Sequence, residues 1–171
     1  LVAAMNPCRC GMAGEPGYRC ARGPRCQSDY QARISGPLLD RIDLRIDVPA
    51  ISANDLIRPA KAEPSGAVAE RVARARSVQT ERFAALGPAG AMTNAHCATK
   101  LIEEIAAPDA AGASLLYEAS EKLGFSARAY HRVLRVARTL ADLDGEAKVG
   151  RIHLAEAISY RVPGEGLAQA A

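Results

Sequence analysis

Four cysteines gather along a short stretch as C-x-C-x₉-C-x₅-C: Cys8, Cys10, Cys20 and Cys26. Thiolates suit Zn²⁺ in closed tetrahedral sites. The Gly and Pro residues between them are turn formers that let a backbone fold tightly around an ion. The spacing departs from paired C-x₂-C knuckles, so three readings stay open: a structural zinc, free thiols, or a redox pair. A catalytic zinc is disfavoured, because the loop has no histidine and four thiolates close the coordination shell. Arg9, Arg19, Arg22 and Arg25 share this loop. They either solvate it or meet nucleic-acid phosphates.

A second set of candidates is cationic. Ser35-Gly36-Pro37 is turn chemistry, which should exclude these residues from a regular element. Beyond it Ile42, Leu44, Ile46 and Val48 alternate with Arg41, Asp43, Arg45 and Asp47. Period two predicts a half-buried strand, apolar side chains on one face and charged ones on the other. Arg41 then stands at the strand mouth. Its guanidinium either pairs with Asp40 or Asp43 or reaches outward. Ser126 caps a helix predicted over 127–143. At ~100° per residue Arg128, Arg132, Arg135 and Arg138 share one arc, opposite Tyr130, Val133, Leu134, Ala137, Leu140 and Ala141. Such an arc either solvates the helix or binds an anion, since the planar guanidinium fork fits phosphate. Asn6-Pro7 on its own reads as an Asx turn.

The elements that must position these groups are mostly helices. Residues 1–4 read as a short buried strand, and 29–34 as a short helix. Residues 49–66 carry Pro49, Pro59, Pro64 and Gly66. They read as a loop with a helical turn near 54–57 and a hinge at Ser65-Gly66. Helices follow over 67–86, stopped by Gly87-Pro88, and from Thr93 or Asn94 to Ile105. Another is capped by Asp109 and ended by Gly124. A last helix over 152–161 is ended by Pro163-Gly164. Cys97 lies inside the second of these helices as a small core residue.

SGPLLDRIDL (35–44), preceded by Ala3-Ala4-Met5-Asn6-Pro7-Cys8, resembles the magnesium-chelatase-like AAA+ ATPases, in particular the ComM (YifB-type) proteins. SARAYHRVLRVARTLADL (126–143) resembles the C-terminal domain of the same family. The resemblance covers nearly the whole chain. It implies a mainly α fold with a small β part. The end of an α/β AAA+ core (1–64) would be followed by a helical lid (65–163) and a disordered tail (164–171). It also implies roles: Asn6 as sensor 1, Arg41 as an arginine finger, Arg128 as sensor 2. ATP and Mg²⁺ would be the cofactors of a longer, ring-forming protein coupled to DNA remodelling or branch migration.

The totals set limits on these readings. The chain has 171 residues, a formal net charge of +3, five cysteines, and only seven Phe and Tyr (two and five). The mild charge permits nucleic-acid binding without arguing strongly for it. The odd, clustered cysteines suit a reducing, cytoplasmic compartment better than a disulfide framework. No apolar run approaches the ~20 residues of a membrane span. No G-x-x-x-x-G-K-[ST] phosphate loop is present, so this chain by itself is expected not to hydrolyse ATP. The chain reads as a C-terminal piece of a longer protein. Two other readings compete: a zinc-stabilised nucleic-acid-binding module without nucleotide chemistry, and a chelatase subunit inserting metal into a porphyrin.

Overall fold

A computed structural model describes residues 1–11, 20, 22–23, 25–48, 51, 53–58, 62–86 and 93–161. Arg19, the Gly87-Pro88 and Pro163-Gly164 stops, and the tail at 164–171 lie outside the described residues.

Three short helices come first: α1 (Cys26–Gln31), α2 (Gly36–Leu39) and α3 (Ala53–Ile57). Five longer ones follow: α4 (Ser65–Ala85), α5 (Thr99–Ile105), α6 (Ala110–Leu123), α7 (Ala127–Asp144) and α8 (Arg151–Ser159). The mainly helical architecture is the one expected. α7 sits at the centre, packed against α4, α5 and α8, while α6 packs on α8. Ile102, Leu116, Val133, Leu134, Ala137, Val149 and Leu154 are buried together between these helices.

The caps work as the sequence indicates. The Asp109 carboxylate accepts the Gly112 N–H at 2.7 Å and starts α6, satisfying one of the donors a helix start leaves unpaired. Ser126 Oγ accepts the Ala129 N–H at 3.1 Å and starts α7. Gly124 ends α6 at φ +61°, a left-handed position that suits glycine. Gly112 lets α6 and α8 approach closely, since a Cβ there would lie 2.8 Å from Leu154 Cδ1.

Several expectations need correction. The first short helix spans 26–31, not 29–34. The helix predicted from Thr93 to Ile105 is broken into a 3₁₀ turn, Asn94–His96, and α5. Cys97 and Ala98 between them are extended, because Asn94 is drawn into the buried polar network described below. Gly36 and Pro37 lie within α2, where proline's missing N–H costs nothing in a first turn. Ser65-Gly66 is no hinge: Pro64, extended, caps α4 and both residues are already helical.

The two predicted strands do not form a sheet. Among the described residues the only bridge is the isolated Pro108–Val149 pair. Leu1 and Val2 are fully exposed, and exposure rises from Leu44 at 47% to Ile46 at 68% and Val48 at 87%. A strand needs neighbours for its N–H and C=O groups and for its apolar face. No described segment supplies them.

Candidate functional site

The cysteine cluster is the tighter of two candidate sites. The chain folds back at Cys8–Gly11, where the Gly11 N–H reaches the Cys8 carbonyl at 3.0 Å and Gly11 takes φ +81°. A second turn sets the Gly23 N–H on the Cys20 carbonyl at 3.0 Å. Cys26 then opens α1. These turns bring the sulfurs of Cys8, Cys10, Cys20 and Cys26 within 4.8 Å of one another. The Cys8–Cys10 and Cys10–Cys20 pairs lie at 2.9 and 3.3 Å. A tetrahedron of zinc–sulfur bonds has edges of about 3.8 Å, so small shifts would accommodate an ion. Cys8 and Cys26 are buried, and Cys10 and Cys20 half-buried.

The N–H of Arg22 pulls the Cys20 thiol down. Hydrogen bonds with Cys10 and Cys26, burial and the charge of Cys10 push it up, leaving it at about 11. A metal cation is bound by thiolates, so an ion among the sulfurs would oppose this rise and favour deprotonation of Cys20. Cys97 stays apart from this cluster in the helical core, where burial pushes its thiol up.

The second site is the junction between residues 40–45 and the ends of α7 and α8. Ser126 Oγ donates to the Asp40 carboxylate at 2.6 Å. Arg161, buried at 6% exposure, donates to the Ile42 carbonyl at 2.6 Å and to the Asp40 carboxylate at 3.1 Å. Burial first, then the neighbouring Arg45, lowers the pKa of Arg161. Arg45 returns the contact: its N–H donates to the Tyr160 carbonyl at 3.0 Å and its guanidinium to the Arg161 carbonyl. Arg132 on α7 pairs with Asp43. So Asp43 and Arg45 from the charged side of the alternating 41–48 stretch dock on the helical part, while Leu44, Ile46 and Val48 on the apolar side are exposed. The expected half-buried apolar face is thereby reversed.

This junction decides what Arg41 can do. Asp40 is taken by Ser126 and Arg161, and Asp43 by Arg132. Arg41 is exposed, and its guanidinium donates to the Pro37 carbonyl at 2.7 Å. Neither aspartate beside it supplies the ion pair that was the alternative to an outward role. Arg128, also exposed, has no ion pair among the described residues. It lies two residues after Ser126, and Arg41 directly follows Asp40, so the Asp40–Ser126 hydrogen bond ties together the two segments that carry these arginines. Asn6 is exposed on the far side of the Cys8 turn, beside Gly11.

The four-arginine arc does not survive as one surface. Arg138 is 1% exposed. Its Nε donates to Asp142 at 3.1 Å and its terminal nitrogens to the Ala147 and Glu146 carbonyls. Arg82 reaches across from α4 to grip Asp142 with both terminal nitrogens. Asn94 donates to the same carboxylate at 2.8 Å. Arg135 donates to the Cys97 carbonyl at 2.9 Å. Only Arg128 remains an open anion ligand. The helical wheel misses this because α4 and the 3₁₀ turn cover a second side of α7.

Sequence reasoning also missed Arg161 and the role of Asp40. Nothing local marks either one, since their partners lie 86 to 121 positions away along the chain.

The family profile described as magnesium chelatase, subunit ChlI C-terminal, matches residues 62–161. The chain belongs to this magnesium chelatase family. The profile for magnesium chelatase, subunit ChlI, matches residues 1–56. The chain is 42% identical over 162 residues to competence protein ComM of Haemophilus influenzae, covering 94% of this chain and 30% of that protein. It is 37% identical over 162 residues to YifB of Escherichia coli, with the same coverage. An uncharacterised protein of Mycobacterium tuberculosis is 36% identical over 164 residues, 96% of this chain and 31% of that protein. The chain thus spans under a third of the length of these relatives. Within the family frame, α4 to α8 are the helical lid of a magnesium-chelatase-like protein. No described helix is long and apolar enough to cross a membrane.

Proposed function

We propose that this chain is the C-terminal part of a cytoplasmic AAA+ ATPase of the ComM type. It would supply Arg41, Asn6 and Arg128 to ATP held with Mg²⁺ in a ring of identical subunits, coupled to DNA remodelling. The chain has no glycine-rich phosphate loop of its own, so it does not hold the nucleotide alone. The observation that carries the reading is the state of Arg41: both neighbouring aspartates are engaged by groups from α7 and from the end of α8, which leaves the guanidinium presented outward. Charge developing on a transferring phosphoryl group is best stabilised by donors fixed beforehand. Arg41 is fixed by α2, by its bond to Pro37, and by Asp40 and Ile42 on either side of it, both bonded to Arg161. Arg128 would contact nucleotide phosphates from the lid, and Asn6 would orient the attacking water.

The test is Arg41→Ala in the full-length ATPase. Nucleotide binding and fold should hold while hydrolysis falls by roughly 10³–10⁵, the range for arginine fingers. Lys should not restore it, because the planar fork is lost. Loss of ATP binding together with hydrolysis would speak for a structural role. Arg128→Ala should weaken turnover without unfolding α7, since alanine favours helix.

The four sulfurs support a structural Zn²⁺ as a second element of the same reading. Metal analysis should return about one zinc per chain, and Cys20→Ser with Cys26→Ser should abolish it. Uptake should release protons, so affinity falls as pH drops. A metal-free, fully folded wild-type loop would sink this assignment.

A further inference from the structure

The cysteine cluster has a cleft against it that neither the nucleotide reading nor the zinc itself uses. It encloses about 340 Å³ and is lined by Arg9, Arg22, Cys26, Asp29, Tyr30 and Arg33. Three arginines therefore share its lining with one aspartate. None of the three is ion-paired among the described residues, although the chain pairs Arg71, Arg82, Arg132, Arg138 and Arg161 with carboxylates. Cations bunched this way repel one another and raise the local concentration of an anion.

The cleft is held by the elements that hold the thiols. Arg9 lies between Cys8 and Cys10, Arg22 is two residues beyond Cys20, and Cys26 belongs to both cluster and wall. Gln31 at the end of α1 donates to the Pro7 carbonyl at 3.2 Å, tying the helix that carries Tyr30 to the segment that carries Arg9. Tyr30 is half-buried and lines the cleft. A phosphate alone has no use for an aromatic wall. A phosphodiester with an unstacked base uses both, because arginines track the backbone and the ring receives the base.

We propose that this cleft binds single-stranded nucleic acid, with Arg9, Arg22 and Arg33 on the phosphates and Tyr30 stacked on a base. This rests on the DNA-coupling part of the proposed function and deepens it, but it concerns residues other than Arg41, Asn6 and Arg128 and its test needs no hydrolysis. The probe is a fluorescent oligothymidine titrated with the 171-residue chain across a salt series, read by anisotropy. Binding should weaken with salt. Replacing all three arginines, Arg9→Gln, Arg22→Gln and Arg33→Gln, should cost at least about tenfold in affinity and flatten the salt slope by about 2, from ~0.7 per phosphate contact. The single change Arg22→Gln should show part of both effects, which separates charge loss from misfolding.

Tyr30→Leu should weaken binding by roughly 5- to 150-fold, the equivalent of one base–aromatic stack. The loss should be much smaller on an abasic strand. A charge-matched control on exposed arginines elsewhere, Arg74→Gln, Arg76→Gln and Arg151→Gln, should change little. The proposal is overturned if the wild-type chain does not bind the strand at low salt. It is equally overturned if the cleft and control triples weaken it alike. Displacement by inorganic phosphate at matched phosphate concentration would make the cleft a small-anion pocket and overturn it too. A failure here leaves the Arg41 test untouched, because that test reads hydrolysis.

Discussion

Arg138 and Arg41 both have an aspartate within four residues, yet one is 1% exposed among Asp142 and two carbonyls and the other stands exposed with one carbonyl contact. The same contrast runs through their surroundings. In α4 to α8 most of the buried apolar side chains form one core, and the buried Asn94, Arg138 and Asp142 are satisfied together with the half-buried Arg82, although Tyr117 and Ile152 stay exposed. In residues 1–48 Leu1, Val2, Ile46 and Val48 are exposed and three arginines line an open cleft. A lid complete in itself is thus joined through Arg161 and Asp40 to a segment whose apolar and cationic faces await partners. Burial without a partner is costly, whereas exposure without a partner is a site or an interface.

The largest expected effect breaks the complete half. Asp142→Asn leaves Arg82 and Arg138 without their carboxylate, and urea unfolding should show about 3–5 kcal/mol of lost stability. Acid should approach the same loss in the wild type. Burial works to raise the Asp142 pKa, but hydrogen bonds from Arg82 and Asn94 and the charges of Arg138 and Arg82 bring it below the ordinary 3.8. Its stabilising share is therefore full above that value and is lost as the pH falls through the lower folded value. A melting temperature that already declines between pH 7 and 5 would have to come from other groups.

A middle-sized effect is expected at the joint. Arg161→Gln removes the charged donor to Ile42 and Asp40, and about 1.5–3 kcal/mol should go with it. Hydrogen exchange should then lose protection at the Arg45 amide and keep it in the middle of α7. If α7 loses protection equally, Arg161 serves the lid core rather than the joint.

The smallest effect is expected in the exposed half. Ile46→Ser should change the stability of this chain by less than about 0.5 kcal/mol, as for other exposed positions. In the full-length protein the same change should destabilise if the apolar face is covered there. Equal effects in both would remove the contrast drawn here.

The parts legible from sequence are those governed by near neighbours. Asp109, Ser126 and Gly124 mark helix ends because capping acts within four residues. The convergence of Cys8, Cys10, Cys20 and Cys26 follows from turn residues within one short stretch. Illegible were the features set by distant partners. Period two at 41–48 is a true alternation, but which side is buried depends on what packs there, and Asp43 and Arg45 met the lid. The wheel of α7 could not show that Arg82 would reach Asp142 from α4. The break at Cys97-Ala98 depended on Asn94 joining that same carboxylate.

The most direct measurement of the central claim is a mixing titration of two inactive full-length proteins, Arg41→Ala and a phosphate-loop mutant, followed by ATP hydrolysis. A finger that crosses a subunit boundary puts an intact Arg41 beside an intact nucleotide pocket in mixed rings. Activity should then rise from near zero to a maximum at intermediate ratios. Mixed rings that demonstrably form and stay inactive at every ratio would contradict the assignment of Arg41 to a neighbouring subunit's nucleotide.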